Sequence, residues 1–213
     1  MTGILSEVEL VQAMLQREVV VIPATSVDQI GPTLDLRLGT QFIVKRMDRL
    51  PHYDPREFRQ THDEDPEKIM RRYEIVKRVD PQQPFWLHPG RFAVGCTLEY
   101  VHLDPQIGGD LEGTSSWARE GLNVHSTAGL IHPGHSGTIT FELHNVGTHP
   151  VALYSGTNVA QLRLYRLAGP APWAYADRNA RYAKYVAPTI GRPWEDWTFE
   201  ALSEQIGCRS DHD

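Results

Sequence analysis

From residue 84 onward the chain is a succession of short β-branched and aromatic runs cut by glycine, proline and asparagine. "PFWLHPGRFAVGCTLEYVHL", "DLEGTSSWAREGLNVHSTAGLIHPG", "HSGTITFELHNVG" and "HPVALYSGTNVAQLRLYRL" follow one another, with turn residues about every 8–12 positions. Nothing there resembles a βαβ series, so an all-β sandwich or closed barrel is expected. No GxGxxG or Walker loop interrupts the pattern. "SGTITFELHN" (136–145) shows the alternation at its clearest. Ile139, Phe141 and Leu143 fall on one face, and Thr138, Thr140, Glu142 and His144 on the other. A carboxylate thus stands mid-strand among uncharged neighbours, on a face that is either solvated or part of a site.

The front of the chain differs. "LSEVELVQAMLQRE" spaces Leu5, Val8, Leu10, Val11, Met14 and Leu15 as an amphipathic helix, opening at a Ser6 cap with Glu9 as capping-box partner. "VVVIPATSVDQIGPTLDLRLGTQFIVKR" then alternates β-branched runs with turn residues, which predicts strands. Residues 46–82 mix acidic and basic side chains and read as a solvated excursion, in which "DPEKIMRRYEIVKR" predicts a short helix running into a strand. The tail from Pro170 is rich in Pro, Trp, Tyr and Arg and ends in a helical pattern, "PWEDWTFEALSEQIG". It suits a segment closing over a site or an interface arm equally well.

A length of 213 residues fits one domain with a sizeable core. The net charge of −6 argues against broad nucleic-acid binding, which needs a basic surface. No apolar run approaches the ~20 residues of a membrane span. The N-terminus lacks a basic region ahead of an apolar one, so no signal peptide is read and a cytoplasmic location is the default. Cys96 and Cys208 offer neither a disulfide framework nor a CxxC metal site, and Cys96 reads as a small core residue. Ten histidines include no HExxH or HxH, and His132 and His135 flank a Pro-Gly turn, so no protein-bound metal is expected. A serine hydrolase is excluded because "GHSGT" is not GxSxG.

Three stretches carry chemistry together. "GTSSWAREG" (113–121) reads as a loop with two adjacent hydroxyls, backbone N–H groups beside Gly113, and Arg119; such a set suits an oligophosphate. "HSTAGLIHPGHSG" (125–137) reads as a tight hairpin-like segment whose small residues let backbone approach a flat ligand. The strand bearing Glu142 follows directly.

These stretches resemble the dCTP deaminases, relatives of the trimeric dUTPases. "GPTLDLRLGTQFIV" is similar to the family's early strand pair, and "PFWLHPGRFAVGCTLEYVHL" with "DLEGTSSWAREGL" to its characteristic middle run. "HSTAGLIHPGHSGTITFELHNVG" resembles the central block nearly position by position, and "GTNVAQLRLYRL" and "RYAKYVAPTIGR" the closing segments. The resemblance implies one domain over 1–192 with a helical extension over 193–213. It implies a distorted jelly-roll-like dUTPase-type β-barrel with a short N-terminal helix, assembled as a homotrimer with sites between subunits. It further implies conversion of dCTP to dUTP and ammonia without zinc, and the chain indeed has no PCxxC to complete a zinc-ligand set.

In that scheme Glu142 is the general base. A desolvated carboxylate with a raised pKa can take a proton from water and pass it to departing ammonia. Ser115 helps to position the water, assisted by a backbone carbonyl near Ala128. Arg119 and the backbone N–H groups of Thr114, Ser116, Trp117 and Ala118 hold the triphosphate, and backbone groups of Thr140 and Phe141 read the base edge. Gln161, Tyr175 and Arg181 match positions that contact deoxyribose or phosphate, as do His132 and Tyr185 in altered form. Mg²⁺ arrives on the nucleotide phosphates. The partner is a small deoxynucleotide, with no nucleic acid and no membrane.

Four departures from the family pattern bear on substrate. Thr114 stands in place of a Lys or Arg, His132 in place of an Asp, and Tyr185 in place of a Gln. Trp117 with Glu120 alters "SSLxRLG". The His132 change argues against release of pyrophosphate from dUTP, because the matching Asp is associated with that step. A dUTP diphosphatase, a bifunctional enzyme yielding dUMP and a non-catalytic nucleotide-binding trimer are the alternatives.

Overall fold

The structure, a computed structural model, describes residues 3–24, 30–46, 52–55, 65–169 and 184–193. The chain divides into two compact units, one of Met1–Lys45 with Val76–Thr189 and a smaller one of Arg46–Ile75 with Ile190–Asp213.

The larger unit is mainly β, as its alternation dictates. It opens with β1 (Gly3–Ile4) and α1 (Glu7–Leu15), followed by β2 (Val19–Ile22), β3 (Leu34–Arg37) and β4 (Gln41–Lys45). The Ser6 and Glu9 capping box forms as expected. The face that α1 buries is narrower than its apolar spacing suggests. Leu10 and Ala13 are covered, whereas Val8 and Leu15 are exposed. After β5 (Glu74–Arg78) come β6 (Phe85–Leu87), the long β7 (Phe92–Leu103) and β8 (Ile107–Gly113). Then follow α3 (Ser115–Arg119), β9 (Leu122–Asn123), β10 (Leu130–Ile131), β11 (Ser136–Asn145), β12 (Val151–Leu153) and β13 (Asn158–Arg166).

Two sheets carry the fold, with a small β12–β6 pair beside them. One runs β1-β13-β8-β10 with β3 also on β13, and the other β5-β4-β7-β11-β9 with β2 also on β7. The arrangement is the distorted jelly-roll-like one expected, with the sheets left open instead of closing into a barrel. Between them lies a single apolar cluster that includes Leu36, Phe42, Leu111, Phe141, Leu143 and Leu162, all at or near zero exposure. The Phe42 and Phe85 rings stack at 4.1 Å between centroids.

β7 and β11 are the paired spine of the second sheet. Tyr100 lies opposite Thr138 and Cys96 opposite Thr140, so β7 spends four residues where β11 spends two. The irregularity is held by Thr97, whose Oγ1 donates to the Glu99 carbonyl (2.6 Å) and accepts from Ile139 N–H (2.9 Å). Because the surplus is even, both strands keep their parity, and Ile139, Phe141 and Leu143 stay on the core side.

In the smaller unit, α2 (Pro66–Arg72) is capped by Asp65, which accepts from Glu67 N–H at 3.0 Å, and runs into β5 as the sequence predicts. Glu67 pairs with Arg71 (2.5 Å) and Arg192 (3.1 Å). The helical pattern expected after residue 193 lies outside the described residues. No described helix is long and apolar enough to cross a membrane.

Candidate active site

Strand parity places Glu142 on the outward row of β11, flanked by the buried Phe141 and Leu143. It is half-buried, less covered than the sequence reading supposes, because its row does not face the core. Its surroundings come from the chain just after β9. β9 pairs with β11 at Asn123/His144 and Leu122/Asn145, and the backbone continues alongside, so that Glu142 N–H donates to Val124 carbonyl at 2.8 Å. Two residues on, Ser126 N–H donates to Glu142 Oε2 at 2.8 Å. One carboxylate oxygen is thereby fixed by backbone, which leaves Oε1 as the second acceptor.

The segment 125–137 does not fold back on itself as a hairpin. It crosses between sheets: Leu111 N–H donates to Gly129 carbonyl at 2.7 Å, and β10 pairs with β8. A Cβ at Gly129 would meet the His125 ring and the Leu111 carbonyl, each at 3.1 Å, so the crossing passes tightly just beyond Ala128. His125 Nε2 lies 3.9 Å from Glu112.

The Ser-rich run read as a loop is α3. Thr114 is its N-cap in extended conformation and makes no side-chain capping bond. One turn of helix sets Ser115 and Arg119, four apart, on the same face, both exposed. Trp117 points the other way, packed on the core, with its Nε1–H donating to Asn158 carbonyl at 3.0 Å. The helix ends at Gly121, whose φ of +85° and contact with Gly147 admit only glycine.

Within one chain, the hydrogen bonds of the described residues do not join Ser115 or Arg119 to Glu142. Gln161 is engaged with Asp35, donating to Oδ1 at 3.1 Å, while Asn158 Nδ2 lies 3.3 Å from Oδ2 of the same carboxylate. Thr140 and Phe141 bring backbone to the strand beside Glu142, the Phe141 ring being wholly in the core. His132 is exposed in the turn that His135 N–H closes onto its carbonyl at 3.1 Å. Tyr185 contributes its backbone: Thr138 N–H donates to Tyr185 carbonyl and Lys184 N–H to Ser136 carbonyl, each at 2.8 Å. Gly137, at φ +147°, leaves room for that approach, since a Cβ there would sit 2.7 Å from the Tyr185 oxygen. Lys184 and Tyr185 are therefore docked by backbone on the strand that carries Glu142. Tyr175 and Arg181 lie outside the described residues.

Sequence reasoning missed the most buried acid. Glu99 has zero exposure and receives Arg37 N–H at 2.9 Å and Arg37 Nε at 2.5 Å. The signal was present, because Glu99 shares the parity of Ala93, Thr97, Val101 and Leu103, the buried row of β7. His135 was missed too: burial holds its imidazole below the usual histidine range, and His102 Nδ1 lies 2.6 Å from Ser136 Oγ nearby. Cys96 is the core residue expected, its thiol pushed up to about 11 by burial. Among the described residues, no three His, Cys, Asp or Glu side chains are grouped to hold a metal ion.

The fold is thus an open, jelly-roll-like β protein with a backbone-fixed carboxylate on β11. The family is specific: the chain belongs to the dCTP deaminase-like family, whose model matches residues 4–167. It is 40% identical over 176 residues to a protein of Parafrankia sp. (strain EAN1pec) named dCTP deaminase, dUMP-forming, covering 81% of each chain. It is 32% identical over 191 residues to a protein of that name from Nanoarchaeum equitans, covering 88% of this chain and 96% of the other. Among solved structures it resembles the crystal structure of 2′-deoxycytidine 5′-triphosphate deaminase from Agrobacterium tumefaciens, at TM-score 0.57 and 20% identity. That match covers 78% of this chain and about half, 49%, of the other, and bears on the fold alone. The product in the relatives' names, dUMP, differs from the dUTP that the sequence reading expects.

Proposed function

We propose that this protein hydrolytically deaminates dCTP, with Glu142 as general base. The observation that carries the reading is the Ser126–Glu142 contact, which orients a half-buried carboxylate within the family-matched residues 4–167. In this reading the water oxygen bonds to C4 of cytosine and the C4–N4 bond breaks. One water proton travels through Glu142 to the departing amine, and the other ends on N3, giving a uracil nucleotide and ammonia. Ser115 positions the water, with the carbonyl near Ala128. Arg119 and the backbone of 114–119 hold the phosphates, which arrive with Mg²⁺ as part of the substrate. Thr140 and Phe141 present backbone to the base edge, and Gln161, Tyr175, Arg181 and Tyr185 serve sugar and phosphate.

The site is proposed to form between subunits of a homotrimer. The exposure of Ser115 and Arg119 and the outward row of Glu142 support this, since each stands open to a neighbouring copy.

A second reading carries the product on to dUMP and pyrophosphate, and the relatives' names favour it. His132, where the family carries Asp, weighs against it. Purified protein with dCTP and Mg²⁺, assayed for ammonia, pyrophosphate and nucleotide products across pH 6–9, decides both. Ammonia alone gives dUTP as product, ammonia with equimolar pyrophosphate gives dUMP, and the absence of ammonia sinks the proposal. Glu142→Gln should lower turnover about 10²–10⁴-fold while dCTP binding by calorimetry survives; near-normal turnover would remove Glu142 from its role.

A further inference from the structure

We infer that Trp117 is a positioning residue, whose indole N–H latches α3 to the start of β13 and so fixes where Ser115 and Arg119 stand. The inference rests on the nucleotide reading above. A helix of five residues cannot hold itself together in water, because nucleation costs more than so few internal bonds return. Thr114 adds no side-chain cap. The place of α3 is therefore set by its tethers. Thr114 N–H donates to Val159 carbonyl at 3.1 Å, and Trp117 Nε1–H donates to Asn158 carbonyl at 3.0 Å. Ser115, Ser116, Ala118 and Arg119 all point to solvent, so Trp117 is the α3 residue that packs on the core.

The latch reaches further than the helix. Asn158, whose carbonyl receives the indole, also contacts Asp35 through its side chain at 3.3 Å, and Asp35 accepts from Gln161 at 3.1 Å. One polar chain, Trp117–Asn158–Asp35–Gln161, thus joins two parts of the set assigned to the phosphates and sugar. A leucine, the residue of the family pattern, would fill the apolar side of this position but could donate nothing to Asn158. Trp117 supplies a directional bond where packing alone would leave the short helix free to shift.

Trp117→Phe keeps an aromatic ring, a smaller one, against the core and removes the donor. The KM for dCTP should rise about three- to tenfold, the worth of one neutral hydrogen bond. Turnover number should fall as well, because Ser115, which positions the attacking water, moves with α3. Amide hydrogen exchange at Ala118, Glu120 and Gly121, whose N–H groups close α3, should quicken. An unchanged KM or unchanged exchange overturns the latch. A rise in KM that only tracks a lowered melting temperature overturns it also, making Trp117 an ordinary packing residue. If the wild-type protein releases no ammonia from dCTP, the functional reading falls and exchange alone decides: faster exchange retains the latch, and unchanged exchange ends it.

Discussion

Gly121 and Gly156 both adopt φ +85°, yet their surroundings are opposite. A Cβ on Gly156 would meet nothing within 4 Å, whereas one on Gly121 would lie 2.5 Å from Gly147 N and 2.6 Å from Gly147 Cα. Substituting alanine at each separates two costs that glycine usually hides together. At Gly156 only the left-handed conformation is penalised, about 1–2 kcal/mol. At Gly121 the same penalty is joined by a clash against backbone, which no side-chain rotation relieves, adding about 1–3 kcal/mol for a total of about 2–5. Gly121 also passes its carbonyl to Val146 N–H at 2.8 Å, so any shift is transmitted to the chain leaving β11. Urea denaturation of both variants, at one protein concentration so that any subunit association enters equally, gives the two values. Equal losses at the two glycines would refute the reasoning, because the structure assigns the clash to Gly121 alone.

Asn145 is fully buried and joins the ends of β11 and β6 to the turn after β11, Nδ2 donating to the Leu87 and His149 carbonyls and Oδ1 accepting from Gly147 N–H. Asn145→Ala strands these partners and should cost about 2–4 kcal/mol in the same denaturation assay; a loss below about 1 kcal/mol contradicts the network. His135 titrates below its ordinary value of 6.5 when folded, chiefly through burial, so the unfolded chain binds its proton first. Stability is then full above pH 6.5 and drains as pH falls below it toward the depressed folded value. Urea midpoints should fall on acidification from pH 6.5 toward about pH 5, and less steeply in His135→Phe; parallel slopes would exonerate His135.

Much of this was legible in the sequence. The alternation of 136–145 gave the core face of β11, and Ser6 with Glu9 gave the opening of α1, because both signals are local. α3 escaped because five residues hold too few apolar positions to show a period, and its one inward residue, Trp117, is placed by a partner 41 positions away. Ser126 as the anchor of Glu142 was equally hidden, since a backbone amide has no letter of its own. The two glutamates make the sharper lesson. Glu142 drew notice for lying among uncharged residues on an outward row, while Glu99, on the inward row of β7, was passed over. Parity carries more information than the mere presence of charge, because an acid on a buried row must find a cation, and Glu99 finds Arg37.

The pairing of β13 with β1, β3 and β8 fixes when this chain can mature during synthesis. β2 and β4 meet β7, and β5 meets β4, as soon as residue 103 has left the ribosome, so four of their sheet's six strands can assemble early. β1 and β3 must wait for residues 158–166, the last of the described strands, with their backbone edges open to any passing extended segment. A nascent chain stalled between these two points would be the species most in need of a chaperone.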